Sequence, residues 1–173
     1  HGPVWTDNIP KVVGIYDRLS RYVAEEGVVI AFSSMYGHTE QMADTIGRFL
    51  AEQGVKKIRI HDTSKTHPSY IINDIFRYKG VILGSCAYNG GIFPTMETLL
   101  CELENMGIKN HLLAYFGNKT WGGGAIPRLK AFAEKMKWEV VAEPNEALGA
   151  MKSSDIEQCK AIAQAMAEKI KKS

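Results

Sequence analysis

The sequence predicts an α/β fold in which a parallel sheet is covered by helices on both faces. Three observations predict it. Five short runs rich in β-branched residues alternate with longer amphipathic stretches, the order a parallel sheet with crossover helices requires. A chain of 173 residues is long enough for one domain with a single substantial core. The loops after the first, third and fourth runs are rich in glycine, hydroxyls and isolated aromatics. In open α/β sheets ligands sit there, beyond the carboxyl ends of the strands where the strand order reverses.

The elements follow in order. The first ten residues are irregular, and from Pro10 residues 11–22 place apolar side chains at near-helical spacing. They form a leading helix or linker. After Glu26-Gly27 a strand at 28–32 precedes a helix near 38–53, and a strand at 57–60 precedes a helix near 68–78. A strand at 80–83 precedes a helix near 95–106, and a strand at 111–116 precedes a helix near 124–137. The fifth strand, 139–141, extends irregularly toward Leu148, and a helix near 153–171 closes the chain. No internal repeat, low-complexity tract or further domain boundary follows residue 27, so residues 1–27 are expected to be a linker with its helix and residues 28–173 one domain.

Composition removes several function classes. A formal charge of +2, with lysines spread along the chain, gives no basic stripe for nucleic acid. Cys86, Cys101 and Cys159 are odd in number, far apart and without CxxC spacing, which suits free thiols in a reducing compartment rather than a disulfide or metal framework. With no signal peptide and no membrane-length apolar run, a cytoplasmic protein is expected.

Ser33-Ser34-Met35-Tyr36-Gly37-His38-Thr39 joins the first strand to a helix. Free N–H groups at a helix start, with the macrodipole, supply about half a positive charge. Ser33, Ser34 and Thr39 add hydroxyls, and Gly37 permits a tight backbone approach. The loop is built to hold a phosphate, although Ser33 or Ser34 could also serve simply as a helix cap. The absence of Lys and Arg argues against a nucleoside triphosphate. The loop at 84–94 surrounds Tyr88 with glycines, and the loop at 116–125 carries Trp121 before three glycines; the loop at 61–65 has nothing comparable. A flat heteroaromatic ring with a phosphate tail would use all three. Tyr88 and Trp121 could flank the ring, each contributing ~1 kcal/mol beyond area burial, and N–H groups around Asn89-Gly90 and Gly122-Gly123 could bond its edge. Flavin mononucleotide (FMN) fits better than a dinucleotide, because there is no GxGxxG.

In order and spacing these loops resemble those of the flavodoxin superfamily, and within it the flavodoxin-like domain of flavodiiron proteins, also called A-type flavoproteins. The likeness rests on Ser-Met-Tyr-Gly-His-Thr-Glu at 34–40, on Tyr88-Asn89-Gly90-Gly91 with Pro94, and on Phe116-Gly117 with Trp121-Gly122-Gly123-Gly124-Ala125. The sequence departs from that family at Cys86-Ala87, where Pro-Thr is usual, and at Asn118-Lys119-Thr120, where Ser-Tyr-Gly is usual. His1-Gly2-Pro3-Val4-Trp5 resembles the end of the family's metallo-β-lactamase-like domain, where the His is the last diiron ligand. The expectation is a carboxy-terminal part of a larger protein that binds flavin but no metal.

The resemblance implies a three-layer flavodoxin-like sandwich whose five-stranded parallel sheet has the order 2-1-3-4-5. It implies FMN bound by Ser33, Ser34, Met35, Tyr36, Gly37, His38 and Thr39, by Ser85, Cys86, Ala87, Tyr88, Asn89 and Gly90, and by Gly117, Asn118, Trp121, Gly122 and Gly123. It implies an electron-transfer domain, with no catalytic side chain of its own, relaying electrons from a rubredoxin-like donor to the diiron centre of an oxygen or nitric oxide reductase. The full protein would be a head-to-tail homodimer in which the flavin of one subunit faces the iron site of the other. A stand-alone NAD(P)H:quinone reductase of the same fold is the alternative, and a non-redox binding module a third reading. Elsewhere, His38 could donate a proton near the phosphate but is expected in a first helical turn with a solvated ring, and His61, His67 and His111 lack metal spacing. Cys101 and Cys159 are expected on apolar helix faces, Trp138 in the core, and the lysines of 169–172 at a solvated helix end.

Overall fold

Strand β1 (Glu25–Ser33) lies inside the sheet because its apolar run leaves no polar face for water: Val28, Val29, Ile30 and Ala31 are fully buried. The computed structural model describes residue 2 and residues 4–172. His1 and Pro3, on which the His-Gly-x-x-Trp resemblance depends, lie outside the described residues, as does Ser173. Parallel β2 (Ile58–Asp62) and β3 (Tyr78–Tyr88) flank β1. Beyond β3 comes β5 (Leu112–Lys119), which pairs with both β6 (Glu139–Val140) and β7 (Asn145–Leu148). A short β4 (Gly91–Ile92) folds back antiparallel on the end of β3.

The fold class is the expected one, with a correction to the strand list. Among the described residues the sheet has seven strands rather than five, and its path reads β2-β1-β3-β5-β6. Its spatial sequence keeps the predicted 2-1-3-4-5 pattern, with the fifth position divided. The division falls where Pro144 stands, since proline has no N–H to continue a ladder. β4 exists because Asn89 and Gly90 both adopt positive φ (47° and 72°) and close a two-residue hairpin. The stretch expected as a long turn is therefore strand as far as Tyr88. β5 likewise runs on past Phe116 through Gly117 and Asn118.

The strand side chains alternate between two cores. Val28, Ile30 and Phe32 of β1 pack toward α2 (His38–Glu52) and α6 (Ser153–Ile170), against Met42, Ile46, Ile162 and Met166. Val29 and Ala31 face α3 (Pro68–Arg77), α4 (Pro94–Met106) and α5 (Ala125–Met136), with Leu99, Leu103, Leu129 and Phe132. Trp138 joins the second core as expected, donating its ring N–H to the Ile108 carbonyl at 2.8 Å and lying against His111 at 4.9 Å between centroids. Cys159 is buried, and burial pushes its thiol up to about 11. Cys101, expected on an apolar face, is exposed on α4 with its thiol directed at Glu97, so that assignment is corrected.

Helix α1 (Ile9–Ser20) stands apart from both cores, with no buried residue. Among the described residues, no helix is long and apolar enough to cross a membrane.

Candidate functional site

The sheet delivers the carboxyl ends of β1, β3 and β5 side by side, so the three unusual loops meet around one cavity of about 360 Å³. The loop after β2 stays outside it, as the sequence suggested.

The first wall is the β1–α2 loop. Gly37 occupies the N-cap position with φ +86°, a conformation only glycine takes without strain. Its N–H donates to Ser34 Oγ at 3.0 Å. No side chain caps α2, so the helix-cap reading of Ser33 and Ser34 does not hold and the first-turn N–H groups face the cavity end uncapped. Two neighbouring polar atoms are buried without a partner: Thr39 Oγ1 and His38 Nδ1. A buried hydroxyl left unbonded costs about 1–3 kcal/mol, which makes this pair the structure's own sign of a ligand. His38 is thus half-buried rather than carrying the expected solvated ring. Met35 and Tyr36 stand exposed on the rim.

Ser33 and Ser85 do not reach the cavity. They are opposite one another in the β1–β3 register, both fully buried, with hydroxyl oxygens 2.9 Å apart. Ser85 Oγ donates to the Cys86 carbonyl at 2.9 Å and accepts the Phe93 N–H at 3.2 Å. Its single proton is therefore committed, and Ser33 is the donor of the pair. The two serines brace the floor beneath the cavity.

The second wall is the β3–β4 hairpin. Cys86, Ala87, Tyr88, Asn89 and Gly90 line the cavity. The Tyr88 ring is partly exposed and held edge-on by Phe93, with centroids 5.6 Å apart at 71°. Desolvation raises the Cys86 pKa, so the group is a thiol at neutral pH.

The third wall follows β5. Asn118 is nearly buried and donates to the Gly149 carbonyl at 2.7 Å, while Trp121 projects almost wholly into solvent at 99% exposure. Trp121 and Gly122 line the cavity; Gly117 and Gly123 lie behind it. A Cβ at Gly117 would stand 3.1 Å from Ile126, and one at Gly123 would stand 2.8 Å from Glu146 Oε1. A Cβ at Gly124 would overlap the Gly90 carbonyl, so the second and third walls touch backbone to backbone. Their helices are also clamped: Arg128 on α5 binds Glu97 at 2.8 Å and Glu104 at 3.0 Å on α4. The Arg128 hydrogen bonds hold the Glu97 carboxyl below the usual range.

Sequence reasoning missed Lys119 and Thr120 as cavity residues. Both stand in the glycine-rich loop at the end of β5, and a lysine whose partner, Glu146, comes from β7 gives no local signal of a place at a cavity. Among the described residues, no group of three or more His, Cys, Asp or Glu could hold a metal ion.

An uncapped helix start with orphaned polar atoms, beside a cavity rimmed by Tyr88 and Trp121 across two glycine-rich loops, defines a site for a phosphorylated aromatic cofactor in an α/β sheet of this order. The flavodoxin family model matches residues 30–162, and the chain belongs to the flavodoxin family. Its cofactor is FMN, and the residues present fit it: the orphaned His38 Nδ1 and Thr39 Oγ1 meet the needs of a phosphate, and the cavity volume lies within the range of small-molecule sites.

Among relatives, the anaerobic nitric oxide reductase flavorubredoxin of Escherichia coli is 28% identical over 141 residues, covering 81% of this chain and 29% of that protein. The rubredoxin oxygen:oxidoreductase of the anaerobe Desulfovibrio gigas superposes with a TM-score of 0.90 at 26% identity, over 96% of this chain and 41% of that one. The flavodiiron protein of Giardia intestinalis shares the fold, with a TM-score of 0.87 at 18% identity over 96% of this chain and 41% of that one. This chain thus spans less than half the length of each.

Proposed function

We propose that the chain from the start of β1 at Glu25 forms an FMN domain that relays electrons in a flavodiiron-type reductase of oxygen or nitric oxide, with the residues before it as its linker and leading helix; the boundary expected after residue 27 falls inside β1. The observation that carries this reading is the pair of buried, unpartnered atoms, His38 Nδ1 and Thr39 Oγ1, at an uncapped helix start on the cavity wall. The names of the relatives support the reductase assignment, and the rubredoxin in two of those names supports a rubredoxin-like electron donor.

When bound, FMN supplies the redox chemistry, and the protein supplies binding, orientation and electrostatics. The α2 N–H groups and the Thr39 hydroxyl would hold the phosphate end, with Ser34 fixing the loop through the Gly37 N–H. Tyr88 and Trp121 would flank the ring, and backbone N–H groups near Asn89-Gly90 and Gly122 would bond its edge. None of the three walls offers an activated nucleophile: Cys86 remains a thiol. The chain accordingly carries electrons rather than transforming a substrate. In the full protein a homodimer brings this domain to the diiron centre of the partner subunit.

Mixing the FMN-loaded chain with reduced rubredoxin tests the relay. Bleaching of the flavin bands at rates that saturate with rubredoxin is expected. Rapid turnover of NADH with a quinone by the chain alone would instead establish the quinone-reductase alternative.

A further inference from the structure

Of the described residues lining the cavity, Lys119 is the only Lys, Arg, Asp or Glu. It ends β5, and its Nζ bonds Glu146 Oε2 at 2.5 Å, both side chains being only partly exposed. Glu146 lies on β7 opposite Gly117 and is not part of the cavity wall, so Lys119 is the member of the pair that contributes to the wall. Gly123 lies directly over the pair: a Cβ there would come 2.8 Å from Glu146 Oε1 and 3.4 Å from Lys119 Cδ. The ammonium therefore sits under the Trp121-Gly122-Gly123 segment. β5 is two strand positions from β1, about 10 Å at ordinary strand spacing, which puts Lys119 at the ring end of the site and away from the phosphate loop.

We propose that Lys119, held in place by Glu146, sets how much more tightly the site binds reduced than oxidised flavin. The inference deepens the FMN reading and rests on it. Reduction of FMN by two electrons and one proton leaves one added negative charge on the ring, which a nearby cation favours within a partly desolvated cavity. Glu146 is a positioning residue whose own charge offsets part of that effect. Breaking the pair from either side then has opposite consequences. Losing the ammonium leaves a bare carboxylate that opposes the reduced ring, and losing the carboxylate charge leaves an unopposed ammonium that favours it.

The test is the ratio of Kd for oxidised FMN to Kd for dithionite-reduced FMN, measured anaerobically on the whole chain and its variants. Lys119→Met is expected to lower the ratio, and Glu146→Gln to raise it, each on the order of tenfold for one unit charge several ångströms from the ring. Lys119→Arg restores the wild-type ratio. Glu146→Gln keeps shape and hydrogen-bonding reach, so its sign decides the matter even if Lys119→Met fails to fold. Shifts of the ratio in the same direction for both variants, or an unmoved ratio with oxidised FMN still bound, would overturn the proposal. So would a Lys119→Met loss confined to FMN and absent with riboflavin, which would assign the charge to the phosphate. A wild-type chain that takes up no FMN would overturn the cofactor reading and this inference with it.

Discussion

Replacing Thr39 by Val should move protein stability and cofactor affinity in opposite directions. Thr39 is 1% exposed and its Oγ1 has no hydrogen-bond partner, so without ligand the hydroxyl is a burden on the fold. Val has nearly the same shape and lacks that group. The apo-protein should therefore gain about 1 kcal/mol, the low end of the penalty for a buried unsatisfied hydroxyl, seen as a Tm rise of roughly 2–4 °C for a domain of this size. With FMN present the sign reverses. A hydrogen bond from Thr39 to a charged phosphate contributes about 1.5–3 kcal/mol, so Thr39→Val should weaken FMN binding roughly ten- to hundredfold. Riboflavin, which lacks the phosphate, should bind the variant and the wild type alike. Flavin-fluorescence titrations with both ligands, beside a thermal melt of the apo-protein, read all three numbers. Equal losses for FMN and riboflavin, or an apo-protein destabilised by the valine, would refute the assignment of Thr39 to the phosphate.

Gly124→Ala should force the second and third walls apart, because its Cβ would overlap the Gly90 carbonyl; a loss of about 1–3 kcal/mol in stability is expected, with weakened FMN and riboflavin binding in the same titrations. Gly90→Ala meets no atom within 4 Å but must hold φ at +72°, so it should cost about 1–2 kcal/mol and reduce flavin affinity by loosening the hairpin. Ile30→Ala, in the fully buried centre of β1, should destabilise by about 2–5 kcal/mol in urea unfolding. His111 supplies a pH dependence: burial lowers its pKa in the folded state from 6.5. The unfolded chain then binds a proton that the folded chain resists, so stability is full above about 6.5 and falls as pH drops toward the lowered folded value. Urea midpoints from pH 7.5 to 5 should decline, and His111→Gln should flatten that decline.

Much of this fold is legible in the sequence because each buried strand is a short apolar run and each helix an amphipathic one. The core of β1 and the apolar face of α2, with Met42, Ile46 and Leu50 buried, follow directly. What stays hidden is pairing between distant residues. Ser33 looks like a phosphate ligand until the β1–β3 register sets it against Ser85, and no local signal reveals that. The link from Lys119 to Glu146 depends in the same way on β7 lying beside β5. Strand β3 reads as ending at Leu83 because Gly84-Ser85-Cys86 lacks β-branched residues, yet Gly84 is demanded there by the Phe116 ring, which fills the space of a side chain. The β4 hairpin did carry a local signal in Asn89-Gly90, a turn pair that requires positive φ at both positions. Trp121 shows the reverse: its glycine-rich setting excludes a core role, and its exposure agrees.

The most direct test of the account is the flavin stoichiometry of the reconstituted chain, measured by titrating FMN into the flavin-free protein and following fluorescence quenching. One FMN per chain with a sharp equivalence point, and much weaker binding of riboflavin, is the predicted result. A protein that leaves FMN fluorescence unchanged at every ratio, or binds riboflavin as tightly as FMN, would contradict the claim that the β1–α2 loop holds the cofactor's phosphate.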